Sequence, residues 1–163
     1  MAFDRLMSFT ALLAGLLLPL GACATSPAPT SAPTAHFYPS PDPALKALPF
    51  SEAVRAGDFL FLSGQVGSAP GKMALAPGGI TGESRQALDN IRSTLQRHGA
   101  TLGDVVKCTV FLADMKEWPA FNTVYREYFK SPYPTRSATG ATGLAMGARV
   151  ELECMAYVPG KAR

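Results

Sequence analysis

From Arg149 to Val158 the chain places Val150, Leu152, Cys154, Ala156 and Val158 at every second position, with Glu151 and Glu153 between the first three. Successive side chains of a strand point to opposite faces, so this stretch reads as a strand with one covered face and its carboxylates on the other. Val105 to Ala113 repeats the device, with Val106, Cys108, Val110 and Leu112 on one face and Lys107 and Thr109 on the other. Two such strands require a sheet, and something apolar to lie on it.

Two helices are available for that role. Thr81 is placed to cap a helix with Glu83 in its first turn, and Leu88, Ile91 and Leu95 recur on one face until Gly99 ends it. A second helix starts near Glu117 or Trp118, tolerates Pro119 in its first turn, and buries Phe121, Val124, Tyr125 and Tyr128, leaving Asn122 off the stripe. Pro132 and Pro134 end it, and Thr135 to Ala141 extends. Upstream, Ser51 to Ala56 and Phe59 to Ser63 form a hairpin around Gly57-Asp58, and the glycine- and proline-rich loop from Gly67 to Gly79 stays on the surface. The helices then cover one face of an antiparallel or mixed sheet in an α+β domain, leaving Arg136, Lys107, Glu151 and Glu153 on the other with Phe111, Ala138 and Met155. Such a mixture of charged and apolar groups reads as an oligomer interface with polar groups inside.

The N-terminus is of another kind. Arg5 precedes an apolar run from Phe9 to Leu20, too short for an ordinary span and laid out as a secretory signal. Leu20-Gly21-Ala22-Cys23 resembles the lipobox of bacterial lipoproteins, which implies cleavage after residue 22 and acylation of Cys23; the alternative is a signal anchor with an incidental cysteine. Acyl chains anchor without a spanning helix, each buried methylene adding roughly 0.8 kcal/mol. Residues 23–43, rich in Ala, Thr, Ser and Pro, read as an extended tether that includes His36, Phe37 and Tyr38. Residues 44–163 have the length of one domain. The expected location is the cell envelope or periplasm, on a lipid anchor.

The formal charge of +3 comes without a dense run of lysine or arginine, so nucleic acid is not suggested as a partner. No cluster of Cys, His, Asp and Glu has metal spacing, no glycine loop opens a helix for phosphates, and no Ser-His pair is evident, so no metal or cofactor is expected. Arg136, in Tyr133-Pro134-Thr135-Arg136-Ser137, is the candidate ligand contact, because a guanidinium held on a strand presents a fork of donors that matches a carboxylate. Taken alone it could equally pair with Glu151 or Glu153 across strands. Cys108 and Cys154 lie on inward faces as buried thiols, or as a disulfide if their Cα atoms are close. His98, near the end of the first helix, reads as a C-terminal helix charge, and Trp118 as a packing residue.

An ordered set of motifs spans about Ala47 to Val158: Ser63-Gly64-Gln65, Leu88-Asp89-Asn90-Ile91, Val106 to Leu112 with Asp114, Asn122 with Tyr125 and Phe129, Pro134-Thr135-Arg136-Ser137, and Val150-Glu151-Leu152-Glu153. Together they resemble the RidA (YjgF/YER057c/UK114) family. The resemblance implies a chorismate-mutase-like mixed sheet with two helices packed on one face, and a homotrimer with sites in clefts between subunits. It also implies hydrolysis of 2-aminoacrylate-type enamine and imine acids to 2-oxo acids and ammonia. Carried over residue by residue, the carboxylate clamp falls on Arg136, the water-site glutamate on Glu151, the pocket serine on Ser63 and the helix asparagine on Asn122. Two positions depart from the family pattern: Phe50 stands for the usual tyrosine and Ala138 for the usual cysteine. A ribonuclease reading, sometimes attached to the family, is disfavoured because His98 is the sole histidine of the domain and no paired acid and base in a basic cleft is evident. The alternative of another class is an envelope-anchored protein that binds small carboxylic or 2-oxo acids without turnover.

Overall fold

The computed structural model describes residues 35–160. The signal segment, Cys23 and the tether to residue 34 lie outside the described residues. Among the described residues, no helix is long and apolar enough to cross a membrane.

The elements run β1 (His36–Tyr38), α1 (Pro43–Lys46), β2 (Ala53–Ala56), β3 (Phe59–Leu62), β4 (Gln65–Val66), α2 (Gly79–Arg97), β5 (Val105–Leu112), α3 (Trp118–Tyr128), β6 (Thr135–Gly140) and β7 (Val150–Tyr157). One mixed sheet has the order β1-β2-β3-β7-β5-β6, with β4 also paired to β7. Every described pair is antiparallel except β5 with β6. The hairpin β2–β3 turns on Gly57-Asp58, with Ala56 opposite Phe59. The tether does not continue to Pro43 as its composition suggests: His36–Tyr38 pairs with β2 through backbone groups, and Asp42 caps α1 by accepting from the Ala44 amide.

The two alternating strands behave as their pattern requires. Val150, Leu152, Cys154 and Ala156 of β7 are buried, as are Cys108, Val110 and Leu112 of β5. They form one core with Leu60, with Leu88, Ile91 and Leu95 of α2, and with Phe121, Val124 and Tyr125 of α3. Burying a side chain of this size stabilises by roughly 1.5–3 kcal/mol, which fixes the helices on this face. Val106 does not join them. A bulge shifts the register between Val105↔Ala156 and Lys107↔Met155, leaving Val106 unpaired and exposed. Nor does Thr81 cap α2, which starts at Gly79. Gly78 occupies the cap in the left-handed region at φ 98°, a conformation open to glycine, and no side chain caps the helix there.

Cys108 and Cys154 face each other across β5 and β7 and are joined by a disulfide, their Cα atoms 4.1 Å apart. This settles the alternative that spacing left open. His98 is more than a helix-end charge. Its Nε2 lies 2.8 Å from the Glu52 carboxylate, its ring lies tilted against Tyr38 with centroids 4.2 Å apart, and its carbonyl accepts from buried Arg55. Arg97 donates to the same carboxylate from Nε and Nη2 at 3.2 and 2.7 Å. Glu52 is buried, so Glu52→Ala, which removes the carboxylate from His98 and leaves Arg97 only Thr94, is expected to lower unfolding stability by about 2 kcal/mol in urea titration.

Among the described residues, no element covers the opposite face of the sheet. Phe37, Phe59, Phe61 and Tyr157 are exposed there, with Phe59 5.2 Å from Tyr157 and 6.3 Å from Phe61 between ring centroids.

Candidate functional site

Arg136 lies on the helix face, not on the open face with Glu151. Partners in a sheet register share a face, and the parallel pairing sets Arg136 against Cys108 and Ala138 against Val110, both buried beneath the helices. Glu151 pairs with Phe111, one step out of phase with the buried residues, and so projects from the other face with Glu153 and Lys107. The expectation that Arg136 and Glu151 share a face within the protomer is therefore overturned. The reason is local: Thr135 to Gly140 has no apolar alternation to set its phase, whereas its register with β5 does.

Around Arg136, α3 builds a clamp. Trp118, Asn122 and Tyr125 are spaced i, i+4, i+7, so one helix face presents all three to β6. The Arg136 guanidinium lies 4.4 Å from the ring centroids of both Trp118 and Tyr125, and Nη2 donates to Asn122 Oδ1 at 2.8 Å. Each such stacking contact contributes roughly 0.5–2 kcal/mol and fixes the plane of the fork. Arg136 forms no ion pair with a carboxylate of the described residues, so the cross-strand pairing with Glu151 or Glu153 is not made. Burial, the larger effect, holds its pKa below the ordinary arginine value against the opposing influence of Tyr125; Arg126 lowers it further. Burial also pushes Tyr125 up to about 12, so that hydroxyl stays protonated. The pocket here, about 310 Å³, is lined by Asn122, Tyr125, Arg126, Tyr133, Pro134 and Arg136. Two guanidiniums and no carboxylate line it, which suits a small anion. Ala138 lies two residues along the same face of β6, half-buried against the core. Trp118 and Tyr125 carry more than packing, and their spacing with Asn122 was the signal for it.

Glu151 belongs to a second group. Val66 of β4 lies opposite it, and its Oε1 occupies the place a Cβ on Gly64 would need, 2.1 Å from that position. Glycine at residue 64 is thus what lets the carboxylate lie against the chain where β3 gives way to β4. The Glu151 pKa is raised, first by burial and second by the like charge of Glu153. Phe50 lines the same pocket, of about 370 Å³, as Gly64 and Glu151. Ser63 adjoins it, but its hydroxyl donates to the Ser51 carbonyl at 2.6 Å, so its proton is engaged within the chain. The structure therefore gathers Arg136, Asn122 and Ala138 in one half-site, and Phe50 and Glu151, with Ser63 adjoining, in another; Arg136 and Glu151 themselves project from opposite faces of the sheet. Among the described residues, no group of three or more His, Cys, Asp and Glu is placed to hold a metal ion.

Gly64→Ala isolates the second half. The conflicting atom ends a flexible side chain, so the fold is expected to hold, with a melting temperature near wild type, while Glu151 is displaced. A loss of at least about tenfold in turnover without loss of helical circular dichroism is the predicted pair of readings.

Residues 42–158 match the family model described as Endoribonuclease L-PSP. The goat protein named 2-iminobutanoate/2-iminopropanoate deaminase is 43% identical over 108 residues, 66% of this chain and 79% of its own length. The human protein of the same name is 39% identical over equal shares. Among solved structures, a Rid-family protein from Yersinia pestis superposes with a TM-score of 0.71 at 30% identity, covering 77% of this chain and 100% of that one. A YjgF/YER057c/UK114 family member from Mycobacterium tuberculosis gives 0.66 at 31% identity, over the same shares.

Proposed function

Because the chain belongs to the Endoribonuclease L-PSP family, the RidA or YjgF family, we propose that it hydrolyses reactive 2-imino acids to 2-oxo acids and ammonia. The observation that carries this reading is the Arg136 guanidinium, oriented by Trp118, Tyr125 and Asn122 in a cationic pocket and paired with no carboxylate of the described residues. It is preorganised for the carboxylate of a substrate, in two parallel contacts.

Arg136 and Glu151 project from opposite faces, so the reading places each catalytic cleft between copies of the chain, Arg136 of one copy facing Glu151 of the next. A head-to-tail contact of that kind closes into a ring, here a homotrimer with three clefts. The exposed aromatic cluster on the open sheet face supplies apolar area for such a contact.

Within the cleft, Arg136 and Asn122 hold the substrate so that the C=N carbon faces Glu151. Glu151 takes a proton from water as the oxygen bonds to that carbon, and the protonated imine nitrogen becomes an amine. Glu151 then returns the proton to nitrogen, the C–N bond breaks, and ammonia leaves as the hydroxyl gives its proton to the Glu151 carboxylate, which passes it to the departing ammonia, leaving the 2-oxo acid and ammonium. No nucleophile of the chain is required. Phe50 brings no hydroxyl to this sequence, so the proton transfers in the reading rest on Glu151.

Glu151 must be ionised to accept the proton, and its pKa is raised by burial and by Glu153. The acid limb of kcat/KM is therefore expected above the ordinary carboxylate value of about 4.3, activity falling as pH drops through it. Glu153→Gln removes the second cause and is expected to move the limb to lower pH, as read in a pH–rate profile.

The export signal ending at Cys23 and the disulfide both suit an oxidising compartment, and the proposed location is the envelope, on a lipid anchor. A second reading, carboxylic-acid binding without turnover, draws on Phe50 and on the engaged Ser63 hydroxyl. An amino-acid oxidase generating imino acids, coupled to ammonia release, decides between them. Acceleration by the mature protein that is lost in Glu151→Gln while 2-oxo acids still raise the melting temperature supports the enzyme. No acceleration, with stabilisation that depends on Arg136, supports the binder.

A further inference from the structure

The pocket beside Glu151 is larger than a small imino acid needs. Its volume of about 370 Å³ lies in the range of roughly 300–1,000 Å³ usual for ligand pockets. A 2-iminopropanoate would place only a methyl group there. One side of the wall is apolar: Leu45 and Leu48 come from α1 and the residues just after it, Phe50 follows, and Val66, Met73 and Met146 continue it, while Asp42, Glu52, Lys72, Asn90 and Arg97 line the remainder. Leu48, Phe50, Met73 and Met146 are all exposed in the protomer, an apolar rim without a cover.

Several polar groups around the pocket are engaged within the protein. Asn90 donates to the Val66 and Ser68 carbonyls and accepts from Gln86. Arg97 is held by Glu52 and Thr94. Asp42 accepts from the amides of Ala44 and Gly71, which ties α1 to the loop that carries Met73. Met146, which lines the pocket, holds the left-handed conformation at φ 60°, uncommon for a residue other than glycine.

The substrate's α-carbon fixes what lies where. It carries the carboxylate, the nitrogen and the side chain; in the hydrolase reading the carboxylate lies on Arg136 of one copy and the water at Glu151 of the next, and because Glu151 and Gly64 both line this pocket it is the space beside the reacting carbon. We propose that Leu45, Leu48, Phe50, Val66, Met73 and Met146 form a side-chain subsite, and that the chain prefers 2-imino acids bearing apolar side chains of four or more heavy atoms. These are the imines released when leucine, methionine or phenylalanine is oxidised at its α-amino group. The inference rests on the imine-hydrolase reading above.

The test uses the mature protein with an L-amino-acid oxidase supplying imines from leucine, phenylalanine and alanine. The expected result is a kcat/KM for the leucine or phenylalanine imine at least tenfold above that for the alanine imine. Leu48→Asp and Met73→Asp, at exposed positions that leave folding intact, are each expected to reduce that ratio at least tenfold. A preference for the alanine imine, or variants that leave the ratio unchanged, overturns the subsite. Failure to hydrolyse any imine overturns the hydrolase reading itself, and the subsite with it.

Discussion

Arg136→Ala is expected to lower kcat/KM on imino acids by on the order of 100-fold or more while leaving the melting temperature within a few degrees of wild type. The loss follows from what the guanidinium contacts. In the proposed reaction it makes two charge-assisted bonds to the substrate carboxylate, together about 3 kcal/mol or more, and the aromatic rings beside it have no charge with which to replace them. The small effect on stability follows from its place: β6 is the edge strand, Arg136 is only half-buried, and it forms no ion pair with the described residues. Arg136→Lys separates charge from geometry. Lysine keeps the cation but not the planar fork that lies 4.4 Å from the Trp118 and Tyr125 centroids, and a loss of about tenfold or more is expected. Steady-state kinetics with thermal melts of the same samples check both. A lysine variant at wild-type kcat/KM would mean that a point charge suffices and that the clamp is incidental.

Removing the disulfide is the largest expected effect on stability. Cys108 and Cys154 are separated by 46 residues in sequence, and closing a loop of that length stabilises by about 4 kcal/mol in the chain-entropy account. Cys108→Ala with Cys154→Ala is thus expected to lower the melting temperature by about 10 °C or more. Both cysteines lie in the core beside Val110 and Leu152, so the loss of packing adds to the same sign. Thiol titration of the denatured protein before and after reduction measures the bond directly. Two free thiols in protein recovered from an oxidising compartment would contradict it.

Much of the fold is legible in the sequence because burial writes itself as period. The alternation at Val150 to Val158 and at Cys108 to Leu112, and the stripes Leu88-Ile91-Leu95 and Phe121-Val124-Tyr125, each reflect one covered face. Where backbone pairing acts without apolar side chains, the sequence is mute. Strand β1 forms inside a proline-rich stretch because three residues pair with β2 by their amides and carbonyls. The bulge at Val106 leaves no mark, since valine suits either face. The same silence governed the site: Arg136, among threonine, serine and alanine, could be identified as a clamp by its chemistry but not assigned a face, because its phase comes from the parallel register with Cys108. The half-sites Arg136–Asn122 and Glu151–Phe50 are therefore visible as residues, while their separation by the sheet needs three dimensions.

That separation gives the central claim its most direct test. Arg136→Ala and Glu151→Gln, each expected to be nearly inactive alone, can be co-expressed with two affinity tags and purified as mixed assemblies, which are trimers under the proposed function. If each cleft takes Arg136 from one copy and Glu151 from the next, every mixed trimer contains one intact cleft in three, and about one third of wild-type activity returns. If Arg136 and Glu151 act within one chain, mixing restores nothing, and mixed trimers as inactive as either parent would contradict the account.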